Sequence, residues 1–287
     1  MRRDHVGADD LPALYGFAQR IWSLDSRWHV GDLAWNLAQV PGGRPEWPMA
    51  RWEVDGSVLA WGWVIRPDNE LSLLVDPARP ELVDEVLDWA GTVTTGPLTA
   101  TVLDTERHLV AALLRRGHTA DRTGAFLLAH HRDLDELPPA PRLPAGLTVR
   151  PVRGEADLVR RVTVHREVWH PSRVTDERFR NVSAGWPYRS EFDMVVEAPD
   201  GRFVAYCLGW YDEVNRVGAL EPVGTLAEFR GQGLARATIV AVLRAFRAAG
   251  ARTALVSSRG DDGYPIPKQV YAALGFTAHA RTVRYRR

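Results

Sequence analysis

The chain is 287 residues long, 45% hydrophobic and 25% charged, which fits one large or two ordinary globular domains and excludes wholesale disorder or a fibrous repeat. Lys and Arg number 36, as do Asp and Glu, so no net field draws the protein onto nucleic acid or an anionic membrane, and neither is expected as a partner. A single cysteine, Cys207, rules out an internal disulfide and a zinc site built on several thiolates; no metal is expected, and a reducing cytoplasm is the simplest setting.

The N-terminus sets Arg2 and Arg3 beside Asp4, Asp9 and Asp10 and has no apolar signal-peptide core. No run of about 18 apolar residues follows that could span a bilayer. A helix start at Asp10-Leu11 leads to strands on either side of Asp55-Gly56, then a strand at 71–75 and a helix at 81–90. Asp-Gly between hydrophobic runs supplies the positive φ that a tight hairpin turn needs. The segment 137–146, LPPAPRLPAG, carries Pro138, Pro139, Pro141 and Pro144, so neither helix nor interior strand passes through it, and it reads as a linker. Beyond it the pattern predicts a strand at 147–152, a helix at 154–169, and strands at 194–198 and 203–210 around Asp200-Gly201. A strand at 218–225, a helix at 234–249 closed by Gly250, a strand at 253–258, a helix at 267–273 and a mostly extended 276–285 complete the chain.

The two halves resemble each other. Residues 7–22 lie on 154–169 at a constant offset, matching Gly7 with Gly154, Asp10 with Asp157, Leu11 with Leu158, Ile21 with Val168 and Trp22 with Trp169. Asp55-Gly56 meets Asp200-Gly201, and Ala60 meets Ala205. Alternating strands and helices in the same order point to a duplicated α/β unit, expected as 1–136 and 147–287 joined by 137–146.

The strongest chemical signal follows the strand at 220–225. The turn Arg230-Gly231-Gln232-Gly233-Leu234-Ala235 opens a helix whose Leu234, Thr238, Val242, Leu243 and Phe246 share one face. Glycine at a helix start costs roughly 0.5–1 kcal/mol relative to alanine, so a compensating role is expected. Close backbone approach to helix N-terminal amides makes a phosphate seat, with Arg230 as a candidate counter-cation. The spacing matches neither the Walker loop nor the dinucleotide fingerprint, and on its own it could be a glycine-rich turn before a core helix.

It does not stand on its own. Arg230-x-x-Gly233-x-Ala235 resembles the [QR]-x-x-G-x-[GA] acyl-CoA-binding motif of the GNAT acetyltransferase superfamily, and Tyr271-Ala272-Ala273-Leu274-Gly275-Phe276 resembles its Tyr-x-x-x-Gly-Phe helix end. The resemblance implies an α/β (α+β) fold of two tandem GNAT-like domains, each a mixed, mostly antiparallel sheet flanked by helices. It implies acetyl-CoA as acyl donor. The pantetheine arm would run along Val223-Gly224-Thr225, the pyrophosphate would sit on the amides of Gly231, Gln232, Gly233, Leu234 and Ala235, and Tyr271 would act as the acid. The two-residue period of a strand puts Glu221 on the face of Val223 and Thr225, where its carboxylate is a candidate base that keeps the attacking amine neutral; a strand-end salt bridge is the alternative. His165 and His170 are competing bases, and Cys207 reads as core filler. Many members of the superfamily have an asparagine where Tyr264 stands. The expected activity is direct acetyl transfer to a primary amine of a small molecule, with a non-catalytic acyl-CoA sensor as the alternative and a mycothiol synthase-like reaction as one specific variant. The oligomeric state is not readable.

The first half looks like a copy without the phosphate seat. Its turn, 76–85, has no glycine, Pro80 lacks an amide donor, and Glu81, Asp84 and Glu85 repel a pyrophosphate, so no CoA binding is expected there. Leu113-Leu114-Arg115-Arg116-Gly117-His118 looks like a worn version of Leu274-Gly275-Phe276. Most of the 11 tryptophans lie in this half; Trp28 and Trp47, beside irregular stretches, are candidate pocket liners.

Overall fold

The computed structural model describes residues 1–4, 7–37 and 47–287. The first half comprises β1 (Arg2–Asp4), α1 (Leu11–Ile21), α2 (Val30–Leu37), β2 (Met49–Val54), β3 (Ser57–Ile65), β4 (Glu70–Val75), α3 (Leu82–Val93), β5 (Thr99–Leu103), α4 (Arg107–Arg115), β6 (Thr119–Asp121) and β7 (Leu127–Asp133). The second comprises β8 (Thr148–Pro151), α5 (Gly154–Val168), α6 (Asp176–Ser183), β9 (Asp193–Glu197), β10 (Phe203–Asp212), β11 (Val217–Thr225), α7 (Leu234–Ala248), β12 (Thr253–Arg259), α8 (Ile266–Ala273) and β13 (Thr277–Arg286).

The duplication extends to matching turns. Asp55 and Gly56 both take positive φ in the β2–β3 hairpin, at 49° and 77°, and Gly201 closes the β9–β10 hairpin at 82°. At the end of α4 the His118 amide donates to the Leu113 carbonyl, and at the end of α8 the Phe276 amide donates to the Tyr271 carbonyl, both at 3.0 Å. Gly117 and Gly275 supply the left-handed residue in the two turns, with φ of 80° and 79°.

The strands form one sheet in the order β1-β2-β3-β4-β5-β13-β7-β12-β11-β10-β9-β8, with β6 also on β13. Its pairings are antiparallel except β4 with β5 and β11 with β12. The halves exchange their last strands. β7, from the first half, lies between β12 and β13, pairing His130 with Val256 on one side and with Ala278 on the other. β13 shifts register between Ala278 and Ala280, then runs into the first half, where residues 282–286 pair with β5 and residues 284–286 with β6. Val283 and Tyr285 accordingly pack in the core of the first half, and Leu134, just past β7, packs with Leu220 and Phe276 in the core of the second.

A further apolar core lies between the halves. Leu14, Phe17, Trp28, Leu33, Trp61 and Trp63 pack there with Leu208 and Trp210 of β10 and Val182 of α6. Trp28 meets Trp61 edge-on at 5.2 Å and is buried, so it serves this core rather than a pocket. Trp47 stacks on Trp63 at 5.8 Å. α2 lies directly on β10 and β11, and Gly31 faces Trp210 with no room for a β-carbon.

Candidate active site

β11 and β12 run together only from Val217 with Thr253 to Leu220 with Val256. β11 then continues to Thr225 on β10 alone, pairing Val223 with Cys207, Gly224 with Tyr206 and Thr225 with Ala205. Glu221 and Pro222 together oppose Leu208, a bulge that bends the strand at the point where it parts from β12. Among the described residues no strand lies beside the edge of residues 221–225 that faces away from β10, which leaves its backbone groups free of strand pairing there. Glu221, Val223 and Thr225 are half-buried. Val223 and Thr225, opposite Cys207 and Ala205, keep the two-residue alternation. The bulge breaks it at Glu221, so the face expected to be shared by all three does not extend to Glu221. Gly224 approaches the Tyr206 ring and Val168 too closely for a β-carbon, and Thr225 Oγ1 is buried with no partner among the described residues.

The cleft ends at the start of α7. Gly233 is the cap residue with φ 78°, Gly231 has φ 76° with open space where a side chain would project, and the first turn holds no acid. The Ala237 amide donates to the Gly233 carbonyl at 3.0 Å, so the amides of Leu234, Ala235 and Arg236 precede the first helical bond and have no partner within the helix. Arg230, Gly231 and Gln232 are exposed, while the Leu234 side chain is buried and offers only its backbone. Arg230 reaches back to the Thr225 carbonyl at 3.4 Å, a contact long enough to yield to a ligand.

Tyr271 is buried on α8, edge-on to Phe276 at 5.9 Å and 6.1 Å from the ring of His130 on the exchanged β7. His130 Nε2 lies 2.8 Å from Ser258 Oγ, and burial pushes this imidazole down to about 4, so it is neutral. Burial holds the Tyr271 phenol well above its usual range, and Cys207 and Glu221 add to that, so it keeps its proton and acts as a donor. Burial, reinforced by the charge of Asp32, raises Glu221 to about 7. Glu221 and Tyr271 thus lie within each other's field.

The competing groups fall elsewhere. His165 Nδ1 lies 2.9 Å from Tyr206 Oη, and burial together with the Arg161 cation lowers it to about 3, too weak a base near neutral pH. His170 lines an open groove between α5 and α6 with Thr163, Arg166 and Asp176. Cys207 is fully buried in the core under α7, and burial pushes its thiol up, away from the reactive thiolate. Tyr264 is largely exposed.

In the first half the equivalent strand edge and turn are partly engaged by their own groups. β4 and β5 part after Glu70–Thr99 and Leu71–Ala100, but His108 Nε2 lies 3.0 Å from the Val75 carbonyl on that strand edge. The loop amides are taken: Ala78 N donates to Asp76 Oδ1 at 2.9 Å, and Leu82, Val83 and Asp84 donate to the carbonyls three residues back at 3.1–3.2 Å. Leu113 stands in the place of Tyr271. The feature that sequence reasoning missed is Asp32, on a helix it did not predict, acting on Glu221 from the other half.

Residues 161–276 match the acetyltransferase (GNAT) family, whose members use acetyl-CoA as cosubstrate. A mycothiol acetyltransferase from Tsukamurella paurometabola is 29% identical over 223 residues, 71% of each chain. A tandem GNAT protein from the clavulanic acid biosynthesis pathway superposes with a TM-score of 0.66 at 18% identity, covering 100% of this chain and 98% of that one. A GNAT-family acetyltransferase from Colwellia psychrerythraea gives 0.67 at 15% identity, covering 100% and 99%. These solved structures share the fold across both halves. The family match over residues 161–276, the parted strands and the doubled architecture make the chain similar to GNAT acetyltransferases in its second half, and to tandem members in fold throughout.

Proposed function

We propose that the protein transfers an acetyl group from acetyl-CoA directly to the primary amine of a small-molecule acceptor, in the cleft between β11 and β12. The observation that carries this reading is the free edge of residues 221–225 leading to the Gly233 helix start, with Glu221 and Tyr271 beside it. The edge of Val223, Gly224 and Thr225 pairs with the pantetheine arm. The amides of Gly231, Gln232, Gly233, Leu234 and Ala235 hold the pyrophosphate, with Arg230 as counter-cation. Bound acetyl-CoA supplies a thioester carbonyl and a thiol leaving group. Glu221 accepts one proton from the acceptor's ammonium, which frees the nitrogen lone pair. As the N–C bond forms and the C–S bond breaks, the Tyr271 hydroxyl donates its proton to the departing sulfur. The relative named for mycothiol supports a small-molecule acceptor, and the lone buried cysteine fits a reducing cytoplasm.

Calorimetry with acetyl-CoA tests the seat. One site per chain, lost in Gly233→Asp, is expected; two sites, or retention in the variant, would refute the assignment. In an amine panel, Glu221→Gln and Tyr271→Phe should each lower kcat by about 10²–10⁴ while acetyl-CoA binding persists. Acetyl-CoA binding with no turnover of any amine would favour the sensor.

A further inference from the structure

The first half lacks the glycine turn of the second, yet it sends α2 into the second half beside β11. Gly31 of α2 abuts Trp210, and Trp210 Nε1 donates to the Glu221 carbonyl at 2.6 Å. Asp32 is the next residue, in the first turn of α2, and is half-buried. One of its oxygens accepts the His29 amide at 2.8 Å, and it makes no ion pair among the described residues. Arg27 is the cation whose charge reaches it, but that guanidinium is engaged by the Thr101 carbonyl and lies 5.0 Å over the Trp28 ring. Three residues on, hence on the same helical face, Trp35 meets His165 at 5.5 Å and Phe179 at 6.4 Å. Trp169, half exposed, donates to Tyr206 Oη at 2.7 Å on the same wall. Glu221 likewise has no ion pair among the described residues, and Thr225 Oγ1, further along the same strand, is a buried polar atom with no partner among them.

Two carboxylates from different halves, neither in an ion pair among the described residues, with Trp35 one helical turn from Asp32 and Trp169 hydrogen-bonded to Tyr206 beside β11, make a place for a cation with an apolar body. We propose that Asp32, carried by the first half, completes the acceptor site: Asp32 and Glu221 bracket the acceptor's ammonium group, and Trp35 and Trp169 flank its body. This rests on the amine-acetylation reading above and deepens it. The silent half then has a substrate-binding task, and the acceptor class narrows to primary alkylammonium compounds, charged on arrival. Asp32 binds and orients the cation, and Glu221 takes the proton.

Tryptophan fluorescence titration of the full chain with tyramine, and with 4-ethylphenol as a matched probe lacking the ammonium group, tests the proposal. Wild-type protein should bind tyramine at least about tenfold more tightly than 4-ethylphenol. Asp32→Asn should erase that preference and Asp32→Glu should restore part of it. Asparagine keeps an oxygen for the His29 amide, so the turn survives, and a merely structural role for Asp32 would weaken both probes alike. Equal affinities in wild type, or an undiminished preference in Asp32→Asn, would overturn the proposal. Acetyl-CoA calorimetry on the same samples separates the two readings: loss of the ammonium preference with acetyl-CoA bound sinks only the Asp32 assignment, whereas no acetyl-CoA binding in wild type sinks the transferase reading.

Discussion

A carboxylate that takes a proton from an alkylammonium has to be ionised first, and Glu221 is held at about 7 by burial and by Asp32. The kcat/KM of the enzyme should therefore fall about tenfold per pH unit below about 7. Replacing Asp32 by asparagine removes a like charge, so Glu221 ionises more readily and the acidic limb moves to lower pH; a limb that stays in place in a pH–rate profile would contradict the coupling. The same shift has a consequence for stability. Folded Glu221 holds its proton more tightly than an ordinary glutamate at 4.5, so its contribution is full below that value and is lost as pH rises through about 7. Glu221→Gln should be more stable than wild type by on the order of 1–3 kcal/mol at pH 8, with most of that difference gone at pH 5 in urea melts.

Glycine has opposite meanings in two elements. On β11, a β-carbon at Gly218 would enter the ring of Phe246, which α7 lays across the sheet. Gly218→Ala should cost on the order of 1–3 kcal/mol through overpacking, and the parted strands behind it should bind acetyl-CoA less tightly. In α3, Gly91 has an ordinary helical backbone and open space around it, so Gly91→Ala should stabilise by about 0.5–1 kcal/mol. Urea midpoints of the two variants should move in opposite directions. Elements of this kind were legible from sequence where one face is continuous, as in α7, or where turn residues mark both ends, as around Asp55-Gly56 and Asp200-Gly201. α6 was not, because it buries only Phe179 and Val182; its one signal was Thr175, whose side chain caps the Arg178 amide at 3.2 Å. The bulge at Glu221-Pro222 was invisible because it is defined by the partner strand, where Leu208 alone faces both.

At the scale of the molecule, the motifs pointed to the proposed acyl-CoA cleft because its glycines and Tyr271 lie within about 45 residues of chain, but no local pattern could reveal which sheet each last strand joins. β7 and β13 look like strands wherever they pair, and the choice is made by Tyr285 filling the first core and Leu134 the second. A chain of residues 147–287 alone would leave β12 and β13 with a gap where β7 belongs, and would carry residues 282–286 as an unpaired strand. Exposed edges of this kind aggregate. That fragment should fail to fold as a soluble monomer, and coexpression with residues 1–136 should recover a complex that binds acetyl-CoA. The intact chain should unfold in a single transition by both circular dichroism and tryptophan fluorescence, since neither core closes without a strand from the other half. A soluble 147–287 fragment with native-like acetyl-CoA affinity would show that both the exchanged strand and the contacts from α1 and α2 are dispensable for the acyl-CoA seat.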